Sequence, residues 1–107
     1  MMKLVFAIVN SEDASSVSIE LTKNGYIVTK LSTRGGFLKV GNTTFLIGVE
    51  EHQVDDVIAT IRDYSSKREQ TVPNLTAMGG EALPTTVRVT VGGATIFVTD
   101  AERYEKF

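Results

Sequence analysis

Residues 43–65 read TTFLIGVEEHQVDDVIATIRDYS, and this stretch decides the fold. Its first seven residues are rich in β-branched and aromatic side chains, which predicts a strand. Gly48 within that strand marks either a bulge or a place where another group approaches the backbone closely. From Gln53 to Ser65 the apolar residues recur every three or four positions, which predicts an amphipathic helix. A strand followed by such a helix indicates a domain of packed α and β layers.

The residues before this stretch repeat the same two signals. Residues 3–9 form a short, continuously apolar run, which predicts a central strand covered on both faces. Residues 11–24 have helical spacing with acidic residues in the first turn and Gly25 after the end, which predicts a capped helix. Residues 26–33 are dense in β-branched side chains and predict a second strand.

The C-terminal part of the chain contains two further strand signals. Residues 86–91 alternate, Gly92-Gly93 follow, and residues 94–98 are again typical of a strand, so this segment predicts a β-hairpin. Residues 66–85 have little periodicity and contain two prolines, and we expect a long flexible loop there.

The order strand, helix, strand, strand, helix, strand predicts an α+β fold: a ferredoxin-like βαββαβ sandwich with an extra C-terminal strand. At 107 residues the chain has the length of a single domain, which we place at residues 1–107. Such a sheet usually carries both helices on one face. Its other face needs a cover, which dimers or trimers often supply.

Composition excludes several kinds of chemistry. The chain has no cysteine, which rules out disulfides, thiolate metal sites and cysteine nucleophiles and indicates a reducing, cytoplasmic compartment. The longest apolar run, residues 4–9, is far shorter than the ~20 residues that span a bilayer, so no membrane partner is expected. A net charge of -2 argues against binding of long nucleic acids, although a small anion stays open as a ligand.

The sequence contains few side chains in patterns that suggest catalysis. His52 is the only histidine and lies in a charged stretch, where a solvated surface position is expected. The carboxylate pairs at residues 50–51 and 55–56 are expected on or beside an exposed helix, where they would be solvated rather than form an acid/base site. We therefore predict no catalytic residue, no metal and no cofactor, and a protein that is not an enzyme.

The segment from Thr33 to Thr44 joins two strands yet carries a phenylalanine, a leucine and two cations. Glycine backbone can form a concavity for an anion, Phe37 offers a stacking face for a base, and the Asn42 amide can pair with an adenine edge. The alternative is that Phe37 and Leu38 fold into the core, the glycines make the turn and Asn42 caps a strand end. The residues leave both interpretations open.

The chain resembles the cyclic di-AMP receptor proteins of the PII-like signalling superfamily. Four motifs carry the resemblance: Gly35-Gly36-Phe37-Leu38, Gly41-Asn42-Thr43-Thr44, Ser66-Lys67-Arg68-Glu69-Gln70 and Gly92-Gly93-Ala94-Thr95. The resemblance implies a single PII-like domain with a ligand loop at residues 33–44. It also implies a homotrimer that holds three cyclic di-AMP molecules in clefts between subunits, without catalytic activity.

The resemblance further implies which residues line the nucleotide site. One subunit would contribute Thr29, Gly36, Phe37, Leu38, Asn42 and Gly48, and a neighbouring subunit would contribute Gly93, Ala94 and Phe97. Ligand binding would change the order of the loop before Asn42 and of residues 66–85, and so signal to an unidentified downstream protein. Two other functions stay open: a PII-type sensor of ATP or a metabolite, and a small ferredoxin-like enzyme.

Overall fold

The computed structural model describes residues 1–31, 41–73 and 86–107. The elements follow in the order β1 (Met2–Asn10), α1 (Ser11–Lys23), β2 (Val28–Leu31), β3 (Asn42–Glu50), a 3-10 turn (Glu51–Gln53), α2 (Val54–Ser65), β4 (Arg68–Pro73), β5 (Thr86–Val91) and β6 (Ala94–Asp100).

Four of the strands form the main antiparallel sheet, in the order β2-β3-β1-β6. Strand β1 is central, as its continuous apolar run predicted, but within the described residues helices cover only one of its two faces. Alternate residues of β1 and β3 are buried and pack with both helices in a single core cluster, which consists of Val5, Ala7, Val9, Val17, Leu21, Phe45, Ile47, Val49, Val57 and Ile61. Because all the strand members of this cluster lie on one face, both helices cover the same face of the sheet. The ferredoxin-like α+β prediction is confirmed.

Helix α1 begins and ends at residues that favour a boundary. Asn10 precedes α1, and its side chain accepts a hydrogen bond of 2.9 Å from the Glu12 N–H. Gly25 follows that helix with a φ of 90°, a conformation that glycine adopts easily. The next residue, Tyr26, donates a 2.6 Å hydrogen bond to Asp56 at the start of α2. That hydrogen bond, together with partial burial, raises the pKa of Tyr26 to about 12.

Two expectations about the C-terminal part were wrong. Residues 68–73, placed within a long loop, form β4. The segment 86–91 does not form a hairpin with 94–98, because β5 pairs with β4 in a separate two-stranded sheet while β6 pairs with β1. Alternation identifies a strand but not its partner, and pairing with β1 gives β6 the edge of the main sheet. The rest of the expected loop, residues 74–85, lies outside the described residues.

The second face of the main sheet carries no helix in the described part of the chain. The residues that face it stand at alternate positions of the four strands and include Thr29 from β2, Leu4, Phe6 and Ile8 from β1, Leu46 and Gly48 from β3, and Phe97 from β6. We call this the open face. Phe97, which lies opposite the half-buried Phe6, is 59% exposed. The open face is thus rich in apolar side chains that one chain covers only in part.

Candidate ligand-binding site

The structure describes six of the residues expected at a ligand site. Thr29 lies in β2, Asn42 and Gly48 in β3, Gly93 between β5 and β6, and Ala94 and Phe97 in β6. The other three, Gly36, Phe37 and Leu38, lie outside the described residues, as do positions 33–40 of the expected ligand loop.

Three of the six meet in one cleft. Asn42 lies opposite Asn10, and Ala94 lies opposite Val9, so the first residues of β3 and β6 flank the last residues of β1. Asn42, Gly93 and Ala94 line a cleft of about 260 Å³ at this end of the sheet. The other residues of its lining are Ile8, Lys67, Gly92 and Thr95. We call it the Asn42 cleft. Gly93 and Ala94 were expected to reach the site from an adjacent subunit, whereas here they adjoin Asn42 of the same chain.

The remaining three are not brought together. Thr29 and Phe97 lie at the same level of the open face. Thr29 pairs with Leu46, Leu46 pairs with Phe6, and Phe6 pairs with Phe97, so these residues form one row across the sheet. Thr29 and Phe97 occupy opposite edges of the sheet, three strand spacings or about 14 Å apart. Gly48 is six residues along β3 from Asn42, which places it about 20 Å away on the same face. One chain therefore presents separate parts of the expected site.

The Gly92-Gly93 pair has a clear structural reason. Both residues have positive φ angles, 81° and 87°. A Cβ at Gly92 would lie 2.6 Å from Arg68 Nη1 and 2.7 Å from the Ser66 carbonyl, closer than side chains tolerate. The Gly93 N–H donates to the Ser65 carbonyl at the end of α2. The glycines let the junction between β5 and β6 pack tightly against the residues that join α2 to β4, next to the Asn42 cleft.

A salt bridge fixes the start of β4. Arg68 donates through both terminal nitrogens to the Asp13 carboxylate, at 2.7 and 3.2 Å. Asp13 is buried and Arg68 is half exposed, and this hydrogen bonding raises the pKa of the arginine. Sequence reasoning treated Asp13 only as an acidic residue in a first helical turn. The salt bridge could not be predicted from neighbouring residues in the sequence, since Asp13 and Arg68 are 55 positions apart.

We expect Asp13→Asn to lower the free energy of unfolding by about 1–2 kcal/mol, because it removes the charge that pairs with Arg68 at a buried position. Urea unfolding measures this difference. Glu12→Gln is the matched control, since it makes the same charge change one residue earlier at an exposed position. Equal effects of the two substitutions would contradict a specific role for the Asp13–Arg68 salt bridge.

Other sites have less support in the described residues. His52 is exposed in the 3-10 turn. The described ranges contain no group of three or more histidine, cysteine or acidic side chains that could hold a metal ion. A larger groove of about 480 Å³ lies between α1 and strands β2 and β3, on the helix side of the sheet, and none of the six described site residues lines it. Among the described helices, none is long and apolar enough to cross a membrane.

The fold places this chain in the class of ferredoxin-like α+β domains. Residues 2–107 match the family described as the cyclic-di-AMP receptor. The chain belongs to this family, as its motifs indicated. It is also similar to a solved structure, the crystal structure of a functionally unknown protein from Pediococcus pentosaceus ATCC 25745, with 40% sequence identity and a TM-score of 0.80. That similarity covers 99% of this chain and 97% of the other, so the two share the whole fold.

Proposed function

We propose that this chain is a non-enzymatic cytoplasmic receptor that binds cyclic di-AMP and signals through rearrangement of its loops. The observation that carries the proposal is the family match over residues 2–107, together with the meeting of Asn42, Gly93 and Ala94 in one cleft. The exposed amide of Asn42 can accept from adenine N6 and donate to N7.

The Asn42 cleft requires additional surfaces to hold a cyclic dinucleotide. Its volume of about 260 Å³ is below the roughly 300–1,000 Å³ that small-molecule sites enclose. Phe37 and the rest of the ligand loop, which leads directly into Asn42, would supply a stacking surface for a base. The open face of a second subunit would supply the other part.

Gly48 supports contact with a group from outside the chain. The β1–β3 register runs through it without interruption, which excludes the bulge that the glycine could have marked. Among the described residues, a Cβ at this position would have only Met2 Cε nearby, at an ordinary contact distance of 3.6 Å. Packing against the described part of the chain therefore does not require glycine here. The space it leaves on the open face is consistent with a ligand or a neighbouring subunit approaching the backbone.

A homotrimer would cover the open face. Exposed apolar side chains such as Phe97 are expected to become buried between subunits, with cyclic di-AMP bound at those interfaces. Thr29 and Phe97, at opposite edges of one sheet, could then join one site from two different subunits. The β4–β5 hairpin and the residues that connect its strands would carry the signal to a downstream protein.

Calorimetry with cyclic di-AMP, cyclic di-GMP and ATP tests the proposal directly. We expect heat from cyclic di-AMP and recovery of chemically intact ligand after long incubation. Binding of ATP without cyclic di-AMP would instead favour a PII-type sensor of ATP. Conversion of the nucleotide would favour an enzyme.

The same titration locates the site. Asn42→Ala should weaken cyclic di-AMP binding by about 1–2 kcal/mol, since it removes the amide from the cleft wall. Asn24→Ala is the control, because Asn24 follows α1 far along the chain from the cleft and is also exposed. Unchanged affinity in Asn42→Ala would place the nucleotide elsewhere.

A further inference from the structure

Lys67 lines the Asn42 cleft from the junction between α2 and β4. Its aliphatic stem lies along the backbone at Gly93: a Cβ added to that glycine would be 2.9 Å from Lys67 Cγ and 3.3 Å from Lys67 Cε. Glycine at position 93 thus leaves the space that the lysine stem occupies. This packing directs the side chain along the cleft wall while its charged end stays accessible to solvent.

Among the described residues that line the cleft, Lys67 is also the only charged one. Within the described ranges, the salt bridges of the chain use other cations, and no carboxylate lies within 4.0 Å of Lys67 Nζ. The adjacent cation, Arg68, is paired with Asp13. In a chain with a net charge of -2, the described lining of this cleft thus combines the Lys67 ammonium group with the Asn42 amide and includes no carboxylate.

We propose that Lys67 binds a phosphodiester group of the nucleotide while Asn42 binds a base edge. The inference rests on the proposed function and assigns a residue that the sequence motifs did not place in the site. An ammonium group is a strong point-charge partner for phosphate, and its pre-positioned stem reduces the ordering cost of the contact. Because β4 begins at the next residue, the phosphate is bound at the base of the β4–β5 hairpin.

The test compares Lys67→Gln with Lys23→Gln, which removes the same charge from the end of α1, where Lys23 faces Glu20 at 4.0 Å. Affinity for cyclic di-AMP is measured by calorimetry at 50 and 200 mM salt. Lys67→Gln should weaken binding about 5- to 30-fold and reduce its salt dependence, since a phosphate contact is lost. The affinity of Lys23→Gln should stay within about twofold of that of the unsubstituted protein, because solvent and salt screen a surface charge at the end of α1 from the Asn42 cleft.

A second pair of variants separates charge from shape. Lys67→Arg should retain most of the affinity and the salt dependence, whereas Asn42→Ala should lose affinity with its salt dependence unchanged. If Lys67→Gln binds like the unsubstituted protein while Asn42→Ala is weakened, the assignment of Lys67 is wrong and the proposed function stands. If the unsubstituted protein does not bind cyclic di-AMP, both are wrong. Thermal unfolding confirms that each variant is folded.

Discussion

Phe97→Asp is expected to convert the proposed trimer into monomers and to abolish tight cyclic di-AMP binding. Phe97 lies on the open face at the edge of the main sheet, in register with Phe6, and is 59% exposed in one chain. Burial of this ring between subunits would stabilise the trimer. A carboxylate at the same position would have to be desolvated without a partner, which costs at least about 2–4 kcal/mol per interface.

Sedimentation velocity at micromolar concentration measures the assembly, and calorimetry measures the ligand. Ile19→Asp is the matched control, because Ile19 is similarly exposed but belongs to α1, on the helix side of the sheet. We expect it to leave both measurements unchanged. An unsubstituted protein that sediments as a monomer, or a Phe97→Asp variant that remains assembled, would contradict burial of the open face between subunits.

Gly48→Val is expected to leave the fold intact and to weaken cyclic di-AMP binding by up to about 3 kcal/mol, or roughly 150-fold. Within residues 1–31, 41–73 and 86–107, the only atom near an added Cβ is Met2 Cε, the end of a flexible side chain. Valine also suits a strand better than glycine, so the free energy of unfolding should stay level or rise. The two methyl groups would instead fill the space into which the ligand or the neighbouring subunit must fit.

The decisive comparison is between urea unfolding and binding in the same variant. Gly48→Ala provides a graded control with a single added methyl group, for which a smaller loss of affinity is expected. A Gly48→Val variant that fails to fold would mean that the fold of the chain itself requires glycine at this position. Stability together with unchanged binding and assembly would mean that nothing approaches this part of the open face.

Local patterns predicted most of the secondary structure and the core. The apolar run of residues 3–9 corresponds to the central strand, and the helical spacing of residues 53–65 corresponds to α2 almost to the residue. The helix prediction was correct because burial on one face imposes a period of 3.6 on helices, and the strand prediction was correct because a short run of branched apolar residues favours a strand. The motif at residues 41–44 likewise indicated the cyclic-di-AMP receptor family, to which the chain belongs.

The candidate site could be predicted only in part. Asn42 was selected for its amide and its place after a glycine, and it does line a cleft. Lys67 was not predicted to belong to the ligand site, because it lies in a segment of the sequence with little periodicity. Its relation to Asn42 arises from the packing of the α2–β4 junction against Gly93. Gly36, Phe37 and Leu38 remain predictions, since they lie outside the described residues.

The amino-acid sequence alone specified the order of the main helices and strands, the central position of β1, and the absence of cysteine chemistry. Tertiary structure decided that β5 pairs with β4, that β6 completes the main sheet, and that Asp13 binds Arg68. The physical reason is the range of the interactions. Periodicity reflects contacts among neighbours in sequence, whereas strand partners, salt bridges and clefts depend on which distant residues the folded backbone brings together.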